Sequence, residues 1–314
     1  MMLFSPVDQR ESAERSSIRL RTLSLGAGVQ STTLALMAAH GEIGPMPDCA
    51  IFADTGWEPG AVYEHLQWLM SPNVLPFPVH IVSAGNIREE ILAAGQGQRW
   101  ASIPAFTKTV KPAGTAIPIW DEDDSGELIE VGSRCTQTET VSIGMIRRQC
   151  TTSFKIEPIR RKIRELAGLT RKRSPDYPVV ETWIGISCDE LIRAKPSFEP
   201  WQVKRFPLLE KRLNRQDCLH WLRRHGYPEP PRSACIGCPF HENARWRQMR
   251  DHDRESWRDA VEVDNALRNG IRGIRGDVYL HRSCVPLEQA DLSTLADHGQ
   301  LDLFGNECEG MCGV

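Results

Sequence analysis

Short apolar runs alternate with amphipathic stretches over the first hundred residues of the chain. Residues 18–25, in which apolar and polar side chains alternate, predict a first strand, and residues 49–53 and 79–82 predict two more. A helix is predicted after each of these strands, over residues 32–40, 60–70 and 87–94. This alternation predicts an α/β fold with a doubly wound, mostly parallel sheet that is covered by helices on both faces.

The alternation breaks over residues 95–134, where glycine and proline are frequent. We interpret this segment as an insertion that forms a hairpin or a lid. The α/β pattern returns with a basic helix predicted over residues 158–166 and a strand over residues 179–186. From Arg205 onward the chain is predicted to be mainly helical, in the segments 215–225, 242–251 and 253–268.

The composition is that of an ordinary globular protein. Of the 314 residues, 40% are hydrophobic and 25% are charged, which argues against a disordered or fibrous chain. No run approaches the ~20 apolar residues of a membrane helix, and residues 1–17 lack the apolar centre of a signal peptide. We therefore expect a soluble, cytoplasmic protein that does not contact a membrane.

The net charge of −3 is unevenly distributed along the chain. Residues 147–173 contain ten Lys or Arg and two Glu, a balance of +8, whereas the chain after Arg282 has six acidic and no basic residues. The basic stretch favours an anionic ligand, such as phosphate groups, a nucleotide or a nucleic acid. A solvated, arginine-rich helix face is the alternative interpretation.

A glycine-rich turn joins the first predicted strand to the first predicted helix. It has the sequence Ser-Leu-Gly-Ala-Gly-Val-Gln-Ser-Thr over residues 24–32. Two glycines let the backbone turn tightly, and the start of the following helix attracts an anion. Since ligands of such sheets bind at the carboxyl ends of strands, we predict a phosphate site here, with a plain capped turn as the alternative. The candidate binding residues are Ser24, Gly26, Gly28, Gln30, Ser31 and Thr32.

A second polar turn follows the second predicted strand. Its residues Asp54, Thr55 and Gly56 offer a carboxylate, a hydroxyl and a backbone that a ligand can approach closely. They are candidates for contacts with a ribose or a base, and a Thr-Gly turn before a helix is the alternative.

The ten cysteines include one pair with the spacing of a metal or redox site. Cys235 and Cys238 form a Cys-x-x-Cys turn followed by Pro239, which suits a zinc site, an iron–sulfur cluster or a catalytic disulfide. Cys284 is the first choice for a further ligand and Cys135 the second. If the metal is zinc, His241 or His281 could replace one of these thiols.

The end of the chain carries two more cysteines, Cys308 and Cys312, on a short glycine-containing segment. Such a segment can enter a site and carry sulfur or electrons, so both are candidate catalytic residues. An acidic tail with incidental cysteines is the alternative.

Taken in order, these motifs resemble the phosphoadenosine phosphosulfate (PAPS) reductase family of the adenine-nucleotide alpha hydrolase (PP-loop ATP pyrophosphatase) superfamily. The resemblance runs from Leu23 to Phe240 and includes a Cys-Thr-x-x-x-Lys-x-x-Pro-Ile segment that begins at Cys150. Residues 185–193 resemble the family's Gly-x-Arg-x-x-Glu-Ser-x-x-Arg segment, and residues 206–222 resemble its Pro-Leu-x-x-Trp-Thr passage. Within the superfamily, the chain is most similar to the ATP-using sulfurtransferase branch that includes the DNA phosphorothioation enzymes.

The resemblance implies a function and a set of site residues. Enzymes of that branch activate a substrate with ATP, release pyrophosphate and use a 4Fe–4S cluster in sulfur transfer. By the same resemblance Lys155 and Arg193 would neutralise the outer anion, and Gly185 and Asp189 would bind the nucleotide. The implied cluster ligands are Cys150, Cys235, Cys238 and Cys284.

The chain departs from the family pattern at three positions. Gln30 stands where an Asp that helps hold Mg²⁺ is usual, and Ser187 stands where the family has Arg. Cys150 is single, whereas cluster-bearing reductases carry an adjacent Cys-Cys pair.

Three functions remain open from the sequence. The first is a sulfurtransferase that uses an adenine nucleotide and an iron–sulfur cluster, takes sulfur from a donor such as a cysteine desulfurase, and acts on tRNA, DNA or a small molecule. The second is a thioredoxin-dependent reductase that converts PAPS or adenosine phosphosulfate to sulfite. The third is a zinc-stabilised protein that binds nucleic acid.

The pattern along the chain, together with the resemblance, predicts a division into segments. Residues 1–17 form a flexible arm and residues 18–204 a PP-loop nucleotide-binding domain that contains the insertion. Residues 205–300 form a helical, cysteine-bearing region, and residues 301–314 the tail.

Overall fold

The computed structural model describes residues 18–98, 103–123 and 125–299. The predicted arm and tail, with Cys308 and Cys312, lie outside these residues. The described chain forms two compact units. The first contains the residues up to Ile87, Cys150–Ile236 and those from Thr294, and the second contains Arg88–Gln149 and Gly237–Ser293.

Ten strands and eight α-helices are found in the described residues. The strands are β1 (Leu20–Ser24), β2 (Cys49–Asp54), β3 (Val79–Ser83), β4 (Phe106–Lys111), β5 (Ala116–Glu122), β6 (Leu128–Cys135), β7 (Thr140–Met145), β8 (Val180–Ile184), β9 (Gln202–Arg205) and β10 (Asp277–Tyr279). The helices are α1 (Val29–Ala39), α2 (Gly60–Leu69), α3 (Ile87–Gly95), α4 (Glu157–Leu166), α5 (Pro207–Glu210), α6 (Arg215–Arg224), α7 (Asn243–His252) and α8 (Arg254–Ala266).

The first unit is built on a five-stranded sheet in the order β3-β2-β1-β8-β9. Every pair of neighbouring strands in it is parallel. The sheet confirms the predicted α/β fold with a mostly parallel sheet. Strand β9 was not predicted, because its four residues are mainly polar and lack an apolar alternation.

Helices cover both faces of this sheet, because successive apolar side chains of its strands point to opposite faces. Leu23, Phe52 and Trp183 belong to a core cluster that includes residues of α1, α2 and α6. Strand residues that point to the opposite face, such as Ile51 and Val180, belong to a second cluster that includes Ile163 of α4. The three inner strands β2, β1 and β8 are therefore covered on both sides, as in other parallel sheets.

The local sequence explains where two of these helices begin. Asn214 caps α6 through a capping box with Asp217, in which each side chain accepts a hydrogen bond from the other residue's backbone N–H. Pro158 occupies the first turn of α4, where its missing N–H costs nothing. A π-helical turn, Thr151–Ile156, precedes α4 and carries Lys155.

The second unit contains helices α7 and α8 and two antiparallel sheets. Strand β4 pairs with β7 and with β10, and β5 pairs with β6 as a separate hairpin. The hairpin expected in the insertion is present, but the strand pairing continues to Met145, beyond the expected end at Arg134. After Arg205 the described chain contains helices α5 to α8, joined by irregular segments, and the short strand β10, which was not predicted.

No helix in the described ranges is long and apolar enough to cross a membrane.

Candidate functional site

A cavity of about 270 Å³ lies in the first unit. Its wall is formed by one face of the sheet, by the carboxyl ends of β1 and β8, and by α4 with the turn before it. This is the edge at which parallel α/β sheets bind ligands. Eight of the residues predicted from the sequence line it, namely Ser24, Gly26, Gly28, Gln30, Ser31, Lys155, Gly185 and Arg193.

The glycine-rich turn leaves the first turn of α1 open to a ligand. Gly28 is the N-cap of α1 and has no side chain to cap it. The Ser31 hydroxyl accepts a hydrogen bond from the N–H of Gly26 at 3.2 Å and donates one to the carbonyl of Gly28 at 3.3 Å. These bonds fix the turn, and the N–H groups at the start of α1 favour an anion in front of it.

Gly185 lets the end of β8 lie directly against the start of α1. A Cβ atom at this position would be 3.0 Å from both the N and the Cα atoms of Ser31, and 3.2 Å from the carbonyl carbon of Gln30. Any larger residue would push the glycine-rich turn away from the sheet. The predicted importance of Gly185 therefore has a steric reason.

Three of the four cations of the cavity wall are held by carboxylates. Lys155 donates a hydrogen bond to Glu58 at 3.1 Å, and the Glu58 side chain is fully buried. Arg193 is paired with Glu190, and Arg160 is paired with Glu199 at 3.0 Å. Because their positions are fixed before a ligand arrives, these cations are suited to hold an anion without rearrangement.

Thr32 lies beside the cavity but does not line it. Its side chain is fully buried, and its hydroxyl is 3.0 Å from Nε2 of His65. Burial lowers the pKa of His65 to about 4, so this imidazole is neutral at physiological pH.

The second polar turn also lies outside the cavity wall. The carboxylate of Asp54 accepts hydrogen bonds from the N–H of Gly56 and the hydroxyl of Tyr63, both at 2.8 Å. Burial, and then the hydrogen bond to Asp54, raise the pKa of Tyr63. The hydroxyl of Thr55 is buried and lies 3.4 Å from Glu58.

Asp189 does not line the cavity either. It is exposed, and its carboxylate accepts a hydrogen bond from the N–H of Arg215 at 3.3 Å. Its neighbour Glu190 reaches the cavity wall instead.

The predicted cluster cysteines are divided between the two units. In the first unit Cys150 is half-buried, and Sγ of Cys235 lies 3.3 Å from Oγ1 of Thr55 and 3.9 Å from Oε1 of Glu58. In the second unit Cys238 and Cys284 are buried. Burial raises the pKa of Cys284, and the positive charges of Lys108 and Arg268 oppose this shift.

Among the residues that the structure describes, no group of three or more His, Cys, Asp or Glu side chains is placed to hold one metal ion. The cluster and its four implied cysteine ligands therefore stay predictions.

Three residues of the site were missed from the sequence. Arg160 and Lys204 line the cavity, and Glu58 holds Lys155. Glu58 follows the Asp-Thr-Gly turn by only two residues, which is a signal that could have been used. Arg160 lies in the basic stretch 147–173 that already favoured an anionic ligand, although it was not singled out there. Nothing in the local sequence distinguishes Lys204 from a surface cation.

Fold and site together define an α/β protein with an anion-attracting cavity at the carboxyl edge of a parallel sheet. No protein-family model matches the chain, and no curated protein matches it. A structural match is found to phosphoadenylyl-sulfate (PAPS) reductase from Candida auris in a phosphate complex, with 13% sequence identity and a TM-score of 0.39. The match covers 72% of this chain and 82% of that one. A likeness this distant carries no further conclusion.

Proposed function

We propose that this protein is an enzyme that binds an adenine nucleotide in the cavity and transfers sulfur to a second substrate. One observation supports the nucleotide: the glycine-rich turn, the start of α1, Lys155 and Arg193 all line the same cavity. Backbone N–H groups at a helix start and paired cations are the usual partners of phosphate. The proposal of sulfur transfer rests on the motifs of the sequence.

The site residues take distinct roles in this proposal. The glycine-rich turn holds phosphates, while Lys155 and Arg193 stabilise the negative charge that develops on departing pyrophosphate. An oxygen of the acceptor attacks the α-phosphorus of ATP and pyrophosphate leaves. A sulfur nucleophile then displaces AMP from the activated atom. Contacts of the nucleotide with Thr32, Asp189 and the Asp54–Gly56 turn stay predictions.

The iron–sulfur cluster also stays a prediction, and no step of this reaction is assigned to it. When bound, such a cluster would supply a site for sulfur or electrons. Iron and acid-labile sulfide assays on anaerobically purified protein test it. A colourless, iron-free protein would contradict the cluster.

A second function is favoured by the ion pairs of the two carboxylates that line the cavity and by the amide at position 30. Within the described residues, Glu190 and Glu199 are both paired with arginines, and Gln30 supplies an amide in place of the usual Asp. The amide of Gln30 is a weaker ligand for Mg²⁺ than the usual carboxylate, and this departure favours an oxyanion ligand that needs no metal. Reduction of PAPS or adenosine phosphosulfate to sulfite, with thioredoxin as the reductant, is such a reaction. In it Cys308 or Cys312 would be the nucleophile.

The products distinguish these functions. Anaerobically purified protein is incubated with ATP, or with PAPS and reduced thioredoxin, and pyrophosphate, AMP and sulfite are measured. Pyrophosphate from ATP supports the sulfurtransferase, and sulfite from PAPS supports the reductase.

We expect Arg193→Gln to weaken nucleotide binding about tenfold, the effect of one lost charge-assisted contact. Arg224→Gln, an exposed change on α6, is the matched control and should bind like the wild type.

The proposal fails if neither nucleotide binds and neither product forms. One bound zinc, together with nucleic-acid binding that falls steeply with salt, would then support the zinc-stabilised alternative.

A further inference from the structure

Lys204 is a cation of the cavity wall that no motif of the sequence indicates. Its side chain lines the cavity and is half-buried. In the sheet Lys204 lies opposite Thr182 of β8, which lies opposite Thr22 of β1. Two strand spacings, about 10 Å, therefore separate the backbone of Lys204 from the strand that leads into the glycine-rich turn.

The charge of Lys204 is not balanced inside the described part of the chain. Every other cation of the cavity wall is held in an ion pair, namely Lys155 with Glu58, Arg160 with Glu199 and Arg193 with Glu190. Over residues 18–98, 103–123 and 125–299, the ammonium group of Lys204 makes neither a hydrogen bond nor an ion pair. Burial lowers the pKa of Lys204, because water solvates its charge incompletely.

We propose that Lys204 binds a second anionic group of the substrate, separate from the phosphate at the glycine-rich turn. This inference rests on the nucleotide-binding function proposed above. The group is an oxyanion, carried either by the nucleotide itself or by the second substrate. A partly desolvated ammonium with no counter-ion gains more from such a group than an exposed lysine does. Lys204 is thus a specificity residue that favours ligands with two separate anions.

Nucleotides with one or more anionic groups test this assignment. Affinities of the full chain for AMP, ATP and adenosine 3′,5′-bisphosphate are measured by titration calorimetry. We expect at least one of the latter two to bind ten times more tightly than AMP, or more. Lys204→Gln should remove this advantage and leave the affinity for AMP within twofold. Lys204→Arg should restore it because it restores the charge.

Lys211→Gln is the matched control, since Lys211 is exposed at the end of α5 and does not line the cavity. It should keep the wild-type preference. If Lys204→Gln weakens the binding of all three nucleotides equally, or changes none of them, the nucleotide does not carry the group that Lys204 binds.

Chemical modification of the amine separates the two sources of the anion. Acetylation of Lys204 and Lys211 is followed by mass spectrometry. If the nucleotide carries the group, the preferred nucleotide alone should slow acetylation of Lys204 at least fivefold. If the second substrate carries the anionic group, AMP should slow acetylation of Lys204 only when inorganic sulfate is also present.

This measurement also separates the inference from the proposed function. If no nucleotide binds but sulfate alone protects Lys204, the proposed function fails and the anion subsite stands. If neither nucleotide nor sulfate protects Lys204 more than Lys211, the subsite is refuted.

Discussion

Gly185 shows how one atom decides the shape of the candidate site. Because a Cβ here would press on the backbone of Ser31, we expect Gly185→Ala to displace the start of α1 by a few tenths of an ångström. Overpacking of this kind costs about 1–3 kcal/mol of stability, and nucleotide affinity should fall at least tenfold. Thermal unfolding and titration calorimetry measure the two effects.

Gly60→Ala is the control for this substitution, since nothing lies within 4 Å of a Cβ at the first residue of α2. Its stability and affinity should match the wild type. Wild-type affinity in Gly185→Ala would show that the glycine-rich turn does not hold the ligand.

The residues that could be predicted for the site are those that adjoin each other in the sequence. Ser24, Gly26 and Gly28 belong to one turn, so their pattern already indicates an anion site. Lys204 reaches the same cavity only because β9 pairs with β8 in one particular register. A register between distant segments cannot be seen in a single sequence, and for this reason Lys204 was missed.

At the scale of elements, the β5–β6 hairpin tests whether the insertion acts on the site. Its strands pair only with each other in the described chain, and β6 is exposed along its whole length. Lys111 of β4 lies directly opposite Thr140 of β7, so a two-residue turn can join them. We expect replacement of residues 112–139 by Asn-Gly to keep the β4–β7 pair and to change nucleotide affinity less than twofold.

The competing expectation is that this segment is a lid over the site. In that case the excision would alter nucleotide affinity tenfold or more. A circular dichroism spectrum like that of the wild type would show that the shortened protein is folded. The full chain with Asn-Gly inserted after Pro112 and nothing removed is the control for a changed loop.

Elements with a clear apolar period were predicted, and short polar ones were not. Strand β2 is apolar and fully buried over five of its six residues, so its type is evident from the sequence. Strands β9 and β10 have only four and three residues, too few to show an apolar period, and form because a neighbouring strand offers its edge. Helix α1 begins at Val29, three residues before the predicted start, because glycine rather than a polar side chain is its N-cap.

At the scale of the whole molecule, His65 makes stability depend on pH. Its pKa is about 4 in the folded chain and about 6.5 in the unfolded chain, so between these values the unfolded state binds more protons. Stability therefore falls as pH decreases through this window. From pH 7.5 to pH 5 the loss attributable to His65 is about 2 kcal/mol.

Urea titrations of the wild type and of His65→Gln at both pH values measure this loss. The glutamine can still bond to Thr32 but does not titrate, so the variant should lose about 2 kcal/mol less than the wild type on acidification. An equal loss in both proteins would show that His65 does not contribute. The pKa of His281 is also lowered by burial, and its effect cancels in the comparison.

The central strand of the sheet acquires its second neighbour late. Thr22 of β1 and Thr182 of β8 face each other across 160 residues of chain. During synthesis on the ribosome β1 can pair with β2 at once, while its other edge stays open until more than half of the polypeptide has been made. An open apolar edge recruits other chains. Prematurely terminated products that end before β8 are therefore expected to aggregate, because the edge of β1 stays open in them. The same late segment that closes this edge also supplies part of the cavity wall, so such products lack the ligand site as well.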